Sequence, residues 1–422
     1  MSTHALITMT LGALVLTACT PDRSPATTPT PPPDQVEVFS WWASGSEKLA
    51  LDSLVAEFAD QHPGTTFVNG GVAGGAGSVA KDLLRSRIAA GDPPDTFQVH
   101  AGAELADHVA AGHLEELTAL YTRLGLDGVF SADLLEQVSV DGAVYAVPTA
   151  IHRANVVWAS TAVLEAAGLD PGTSYTNLDQ WFVALEAVAA TGRIPLALGS
   201  TWTQVHLLET VLLADLGADG YVGLWDGSTD WASPEVTAAL EDFERLVGYS
   251  DPGRDGLDWP DAAQRVIDGD AAFTVMGDWA LALFRESGQA ERVDYRWFPV
   301  PGTAGTFDLV VDAFTLPVGA RRPDAAEAWL DTVSSLSAQT AFSTTKGSIP
   351  ARLDANPAVF ETYQRSALSA YQGGVLVPSL AHGSAVAPAV LEEISAAVSL
   401  FTTGGSTVAD LQDDLRRAVA RT

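Results

Sequence analysis

The alternation of predicted strands and helices near the start of the folded chain constrains the fold more than any other feature. Residues 36–40 include two β-branched valines and an aromatic phenylalanine and predict a strand. The pattern recurs further along, with a helix predicted over 79–90 and a strand over 96–99. Repeated strand and helix units predict an α/β fold, in which helices flank the sheets. The first helix is indicated by four apolar residues at the i, i+3, i+4 and i+7 positions of one face: Leu51, Leu54, Val55 and Phe58.

The charge of the chain is strongly negative and limits its partners. Lys and Arg total 22 against 53 Asp and Glu, which gives a formal net charge of −31 over 422 residues. Such a surface repels the phosphates of nucleic acids and anionic lipid headgroups. We therefore expect no nucleic-acid partner, and we interpret most of the carboxylates as solvated surface.

The position of the only cysteine, Cys19, indicates an export signal. A single cysteine cannot form a disulfide within the chain. Cys19 follows an apolar run over residues 5–16 that is too short to span a bilayer. The sequence LTAC that ends at Cys19 resembles a bacterial lipobox, in which the cysteine is acylated and becomes the amino terminus after cleavage. No Lys or Arg precedes the apolar run, which departs from such signals. The alternative is a buried free cysteine in an N-terminal helix.

The segment that follows Cys19 is rich in proline and threonine and predicts an extended, semi-stiff spacer. We therefore predict a lipoprotein signal peptide over residues 1–18, and the lipidated cysteine with its linker over 19–35. This arrangement would hold the folded body at the outer face of the cell membrane through a lipid anchor.

Two consecutive tryptophans, Trp41 and Trp42, follow the first predicted strand at its carboxyl end, where open α/β sheets bind ligands. Neighbouring side chains on a strand point to opposite faces, so one buried and one partly exposed indole is the simplest interpretation. Ser44 and Glu47 have the S-x-x-E spacing of a capping box. Glu47 is therefore either a helix cap or an acceptor for hydroxyl groups in a cleft.

Polar and aromatic side chains end two further predicted strands. Strand alternation places Gln98 and His100 on one face, opposite to Phe97. A Gln and His pair at the end of a strand indicates a site. Trp279 ends a later strand in the same way, and Trp259 precedes a predicted helix twenty residues earlier.

Motifs of common enzyme classes are absent from the sequence. It contains no G-x-x-x-x-G-K, G-x-S-x-G or H-E-x-x-H motif, and its histidines lack metal-ligand spacing. We therefore expect no cofactor and no metal. A glycosidase stays open at this point, because the separation of two catalytic carboxylates cannot be read from a sequence.

A set of motifs in fixed order identifies a family. The motifs resemble those of the extracellular solute-binding proteins of carbohydrate ABC importers, and most closely their glucose- and galactose-binding branch. The likeness covers essentially the whole mature chain, and its longest run is the most specific. The motifs are FSWWA over 39–43, GDPPDTFQVHAG over 91–102, IHR over 151–153 with Asn155, the segment 273–279, KGSI over 346–349, and the pair His382 and Gly383.

The resemblance implies a two-lobed fold of the periplasmic-binding-protein type (type II). Each lobe would be a sheet flanked by helices, the lobes would be joined by hinge crossovers, and sugar would bind in the cleft between them. Changes of pattern near 144–159, 309–317 and 346–352 predict the crossovers. The predicted division is an N-terminal lobe of 36–150 plus 311–350 and a C-terminal lobe of 151–310 plus 351–422.

The resemblance also implies which residues hold the sugar. A pyranose has apolar faces that lie on indoles, and hydroxyls that need polar partners once water is expelled. Stacking and wall surfaces would come from Trp41, Trp42, Trp259 and Trp279, and hydrogen bonds from Glu47, Gln98, His100, Asp312, Lys346 and His382.

The function implied by the resemblance is binding without catalysis. The protein would capture a monosaccharide, glucose or galactose, and deliver it as a monomer to the transmembrane permease subunits of an ABC importer. Three alternatives stay open: a receptor for a disaccharide or longer glycan, a glycosidase, and a sensor that reports sugar to a signalling partner.

Overall fold

The computed structural model describes residues 35–74 and 77–420. The predicted signal peptide, Cys19 and nearly all of the linker lie outside these residues, so their roles stay predictions. Within the described part of the chain, no helix is both long and apolar enough to cross a membrane.

Thirteen strands in the described ranges form two main sheets and one short hairpin. The first sheet has the order β12-β6-β11-β3-β1-β2, with β13 beside the first half of β11. The second sheet has the order β10-β7-β9-β8, and β4 pairs with β5. The strands are β1 (Gln35–Phe39), β2 (Thr66–Asn69), β3 (Thr96–His100), β4 (Ser139–Val140), β5 (Ala143–Val144), β6 (Ala146–Arg153), β7 (Val156–Ser160), β8 (Ile194–Ala197), β9 (Ala271–Val275), β10 (Tyr295–Pro299), β11 (Thr306–Thr315), β12 (Ile349–Pro350) and β13 (Val375–Pro378).

Sixteen α-helices of the described chain connect and cover these strands. They are α1 (Gly45–Gln61), α2 (Ser78–Ala89), α3 (Ala103–Ala110), α4 (Thr118–Leu124), α5 (Ala132–Gln137), α6 (Thr161–Ala166), α7 (Leu178–Ala189), α8 (Thr201–Asp226), α9 (Pro234–Gly248), α10 (Trp259–Ile267), α11 (Ala280–Glu286), α12 (Pro323–Ser334), α13 (Leu336–Lys346), α14 (Thr362–Gly373), α15 (Pro388–Thr402) and α16 (Val408–Val419). The predicted alternation of strands and helices is confirmed.

Local sequence decides where several helices begin. Ser233 caps α9 and Pro234 is its first residue, as the sequence predicts. The sequence also predicts a helix near 324–336, and α12 occupies Pro323–Ser334. Ser335 has an extended backbone there, and its hydroxyl accepts a hydrogen bond from the Ala338 N–H at 3.2 Å. It therefore ends α12 and caps a new helix, α13.

The register of β11 determines which polar residues meet at one edge of the first sheet. Asp312 on β11 lies opposite His100 on β3 and opposite Ala150 on β6. β1 and β3 are parallel, so their carboxyl ends lie at the same edge of the sheet. The segment with Trp41 and Trp42 therefore follows β1 close to the point where His100 ends β3.

The chain passes between the two sheets through short connections. β6 leads to β7 through Ala154 and Asn155, within the region predicted to be a crossover. The return runs over residues 300–305, whereas most of the predicted crossover over 309–317 belongs to the ten-residue strand β11. Three stretches that the predicted division assigns to the C-terminal lobe pair within the first sheet: 151–153, 306–310 and 375–378. The division into lobes stays a prediction.

Large apolar side chains form two buried clusters. One contains Phe58, Phe97 and Trp329, and the other contains Trp181 and Phe273. The rings of Phe58 and Trp329 lie 5.5 Å apart in an edge-to-face arrangement. Burial of each such side chain contributes about 1.5–3 kcal/mol to the free energy of unfolding. Apolar packing of ordinary kind therefore stabilises the fold.

Candidate functional site

A cavity with about 340 Å³ of empty space, its mouth to solvent included, collects nine of the ten predicted binding residues. We call it the inner cavity. The tenth residue, Gln98, does not line it but donates a hydrogen bond to Asp312, which does. Twelve side chains line the inner cavity: Trp41, Trp42, Glu47, His100, His152, Trp202, Trp259, Trp279, Val310, Asp312, Lys346 and His382.

Asp312 is a carboxylate held from two sides. Gln98 donates from Nε2 to Oδ1 at 2.9 Å, and Nε2 of His152 lies 3.0 Å from Oδ2. The Ser40 hydroxyl in turn donates to the Gln98 carbonyl at 2.7 Å, which orients the amide. Burial alone would raise the pKa of Asp312, but His152, His100 and Lys346 lower it to about 2. Asp312 is therefore an ionised acceptor in the wall of the inner cavity.

His152 lies between two carboxylates and carries a positive charge. Its Nδ1 is 2.5 Å from Oδ1 of Asp278, and its Nε2 faces Asp312. Burial alone would lower the pKa of His152, but the two carboxylates raise it to about 9. Asp278 also accepts from the backbone N–H of Arg153 at 3.0 Å and from the Tyr363 hydroxyl at 3.3 Å. The sequence motif contained His152, but no local signal predicted its charge.

Glu47 lies in the inner cavity and forms no capping box. The Ser44 side chain makes no cap hydrogen bond to α1, although the spacing of the two residues suits one. Instead, Lys346 donates from Nζ to Oε1 of Glu47 at 2.7 Å, and this Nζ lies 5.4 Å from the centre of the Trp42 ring. Lys346 is only 2% exposed. The ion pair joins the first turn of α1 to the last turn of α13.

His100 belongs to a second charged group, which the sequence analysis did not predict. Lys81 donates from Nζ to Oε2 of Glu104 at 2.6 Å, and the same Nζ lies 3.1 Å from Nδ1 of His100. Burial alone would raise the pKa of Glu104, but Lys81 and His100 lower it to about 2. Because Lys81 and Glu104 lie on α2 and α3, only the packing of these helices on β3 brings them to His100.

His382 is an uncharged histidine at the inner cavity. Burial, together with its cationic and imidazole neighbours, lowers the pKa of His382 well below its usual range. Its ring lies 5.0 Å from Trp279, 5.4 Å from His100 and 6.0 Å from Trp202. Its Nε2 is buried and has no hydrogen-bond partner among the described residues. This nitrogen is a free polar group in a site lined largely by rings.

Both tryptophans that follow β1 are buried, at 5% exposure for Trp41 and 1% for Trp42. The expectation of one buried and one partly exposed indole is therefore wrong. The backbone leaves the strand at this point, so that both side chains line the inner cavity. Trp41 lies 4.9 Å from the His100 ring, and Trp42 lies 4.6 Å from Phe342.

Three further tryptophans, Trp202, Trp259 and Trp279, line the inner cavity. Trp259 is the first residue of α10, whereas the sequence placed it ahead of a helix that begins at residue 262. Trp279 lies close to Gly277, where an added Cβ would come within 2.2 Å of the indole ring. The sequence analysis missed Trp202, which donates from Nε1 to Oδ1 of Asp258 at 3.1 Å. No motif marked Trp202, which is the second residue of α8.

The arrangement suits binding of a polyhydroxylated ring. Indole faces provide apolar surface, while Asp312, Glu47 and Lys346 provide charged hydrogen-bonding groups in a buried place. Among the described residues, no group of three or more His, Cys, Asp or Glu side chains is placed to hold a metal ion.

The family follows from comparison with known proteins. Residues 42–340 match the family of bacterial extracellular solute-binding proteins. The chain belongs to this family. Such proteins bind substrates and are not enzymes, so the glycosidase alternative is not supported. The extracellular setting expected from the sequence agrees with this family.

Relatives of this solute-binding protein cover nearly its whole length. An uncharacterized ABC transporter extracellular-binding protein of Pyrococcus horikoshii is 36% identical over 413 residues, 95% of this chain and 92% of the relative. A probable sugar-binding periplasmic protein of Mesorhizobium japonicum is 32% identical over 384 residues, 89% and 91% of the two chains. Among solved structures, a chitin oligosaccharide binding protein matches with a TM-score of 0.79 at 23% identity, over 92% and 98% of the chains. This last likeness confirms the expected two-lobed α/β fold.

Proposed function

We propose that this solute-binding protein captures a monosaccharide, glucose or galactose, in the inner cavity and delivers it to the permease of an ABC importer. The observation that carries the proposal is the inner cavity itself, in which four predicted tryptophans stand beside charged hydrogen-bonding groups. The ten predicted residues then act as proposed: the indoles contact the C–H faces, and the polar groups bind hydroxyls. The name of the Mesorhizobium relative, a probable sugar-binding periplasmic protein, supports the class of ligand.

The charge states in the inner cavity support hydroxyl binding. Asp312 and Glu47 accept hydrogen bonds, whereas Lys346 donates them. A sugar hydroxyl both donates and accepts, so it pairs with either kind of group. Hydrogen bonds to charged partners contribute about 1.5–3 kcal/mol each. Discrimination between epimers would follow, because a wrongly placed hydroxyl leaves a buried charged group without its partner.

The size of the inner cavity supports a small ligand. In this structure its cavity volume is only about 30 Å³, whereas small-molecule sites occupy about 300–1,000 Å³. The cavity must widen to admit a sugar, and a single pyranose requires less widening than a longer glycan does.

A disaccharide is the second candidate, and one neighbouring space favours it. We call this space the outer groove; it has about 1560 Å³ of empty space, its open side included. Lys81, Glu104 and Leu391 line it, and Trp202 lines both the outer groove and the inner cavity. A second sugar unit attached to a bound monosaccharide would therefore meet polar and apolar surface in the outer groove.

We also propose that Cys19 carries the lipid anchor and that residues 20–34 form its linker. The name of the Pyrococcus relative, an ABC transporter extracellular-binding protein, supports the permease as partner. Mass spectrometry of the N-terminal peptide from membranes tests the anchor: a diacylated Cys19 is expected, and an unmodified residue 1 would contradict it. A Cys19→Ser variant, released into the medium, serves as the control.

Isothermal titration of the purified protein with D-glucose tests the proposed function. A saturating one-to-one heat is expected, with galactose as competitor. Tight binding of maltose or cellobiose without binding of glucose would favour the disaccharide candidate. Absence of heat with all four sugars, on folded protein, would contradict sugar capture at this cavity.

A further inference from the structure

A buried chain of polar groups leads from His382 away from the inner cavity. Nδ1 of His382 lies 2.8 Å from the Ser379 hydroxyl. That hydroxyl lies 3.1 and 3.0 Å from the two carboxyl oxygens of Glu209, and the Ala381 N–H donates to Oε2 at 2.8 Å. Glu209 is on α8, 170 residues before Ser379, and neither its residue type nor its spacing marked it in the sequence. All of these side chains are buried.

Glu209 shares its site with a second buried carboxyl group, that of Asp308 on β11. Within the described residues, neither oxygen of Asp308 has a donor side chain or N–H as partner. Two carboxyl groups can hydrogen-bond only if one of them keeps a proton. Burial raises the pKa of Asp308 well above its usual range, and its negative neighbour Glu209 raises it further. Burial also raises the pKa of Glu209, to about 7, but the hydrogen bonds from the Ala381 N–H, the Ser379 hydroxyl and Asp308 lower it. The donors of Ser379 and Ala381 thus point at Glu209, whereas none among the described residues points at Asp308. Asp308 therefore keeps the shared proton, and Glu209 is the acceptor of the Ser379 and Ala381 hydrogens.

The position of one hydrogen follows from this arrangement. The Ser379 hydroxyl has a single hydrogen, and the carboxylate of Glu209 is its strongest available acceptor. The oxygen of Ser379 must then accept from His382, so the proton of the neutral imidazole is on Nδ1. Nε2 of His382, which faces the inner cavity, carries a lone pair and accepts hydrogen bonds.

We propose that Glu209 is a positioning residue that acts through Ser379 to hold His382 in its Nδ1–H form, so that His382 accepts a hydrogen bond from a ligand hydroxyl. Glu209 does not line the inner cavity. Its effect on the ligand is indirect, through the tautomer of the ring and the shape of the loop at residues 379–382. The ligand half of this inference rests on the proposed function; the tautomer is a property of the free protein.

The tautomer is tested by NMR on free protein labelled with ¹⁵N-histidine, with the His382 signals assigned from a His382→Gln spectrum. A protonated Nδ1 and a bare Nε2 are expected in the wild type. In Glu209→Gln the hydroxyl of Ser379 no longer faces a charge, so His382 loses its single tautomer and glucose affinity falls about tenfold. Asp308→Asn is the matched control: its amide replaces the O–H donor, and both readouts stay at wild-type values.

Two results would overturn the inference: an Nε2–H tautomer in the wild type, or wild-type tautomer and affinity in Glu209→Gln. If Glu209→Gln does not fold, Ser379→Ala removes the link without changing the carboxyl pair, and Ser379→Thr restores the hydroxyl. The tautomer should then be lost in the alanine variant and kept in the threonine variant, and equal tautomers in both would contradict the proposal. If the wild type shows the expected tautomer but binds no sugar, the role of Glu209 in fixing the tautomer stands, and the proposed function and the ligand half of the inference are wrong.

Discussion

At the scale of single residues, the inner cavity is defined by charges that balance one another. His152 is cationic between two carboxylates, and Lys346 pairs with Glu47. A buried charge without a partner costs several kcal/mol. Substitution of one member of such a pair is therefore destabilising, because the other member stays behind as an unpaired buried charge. Two predictions follow from these pairs, one for ligand affinity and one for the free energy of unfolding.

Lys346→Ala should reduce glucose affinity about a hundredfold, since a charged donor to the ligand and the partner of Glu47 are both lost. Lys48→Ala is the matched control, because Lys48 is a lysine of α1 in an exposed ion pair with Asp52. Titration calorimetry is expected to find the control within about twofold of the wild type, in keeping with the small energies of surface pairs. Equal affinities in the two variants would contradict the role of Lys346.

The charge on His152 should make part of the stability depend on pH. Its pKa is raised in the folded protein to about 9, above the ordinary value of 6.5. The contribution is therefore fully present below pH 6.5 and is lost as the pH rises through 9. Denaturant unfolding should show that the stability difference between wild type and His152→Gln shrinks by about 3 kcal/mol over this interval. A difference that stays constant from pH 6.5 to 9 would show that His152 is neutral.

At the scale of elements, strand register and close backbone approaches place the side chains. Asp312 reaches His100 because β11 pairs with β3 in one register, and a shift by one residue would turn Asp312 to the other face. The turn after β9 matters in the same way, because Gly277 leaves the space that the Trp279 ring occupies. This second feature is accessible to mutation.

Gly277→Ala should displace the Trp279 ring, because the new Cβ would lie 2.2 Å from it. We expect glucose affinity to fall about tenfold, the scale of one lost aromatic contact. Gly248→Ala in α9 is the control, since nothing lies within 4 Å of the Cβ it adds. If calorimetry finds the wild-type glucose affinity in both variants, Trp279 packs in the wall without contacting the sugar.

At the scale of the whole molecule, the two-lobed fold must open to admit a ligand. His382 and Asp312, two polar groups of the inner cavity, are nearly inaccessible in this structure, at 3% exposure each, whereas the Glu47 side chain is 20% exposed. Hinge closure around ligands is a common motion of two-lobed binding proteins, and the connections at residues 154–155 and 300–305 are short enough to act as hinges.

Glucose should therefore reduce the radius of gyration of the protein in small-angle X-ray scattering.

Glucose at one hundred times its dissociation constant should also raise the free energy of unfolding by about 2.7 kcal/mol. With a hundredfold weaker affinity, the Lys346→Ala variant would be half saturated at the same glucose concentration. It should gain only about 0.4 kcal/mol and show about half of the change in the radius of gyration. A wild-type radius of gyration that is independent of glucose would indicate that the free protein is already closed.

The sequence by itself determined the features that neighbouring residues encode. Strand and helix periodicity predicted the α/β fold, Ser233 predicted the start of α9, and ordered motifs predicted residues that the structure brings together in one cavity. Tertiary structure alone decided the partners. Glu47 could cap a helix or face a cleft, and it pairs with Lys346, 299 residues away. Likewise, the charge of His152 and the tautomer inferred for His382 depend on burial beside distant carboxylates, because desolvation and charge proximity are properties of packed space and not of spacing along the chain.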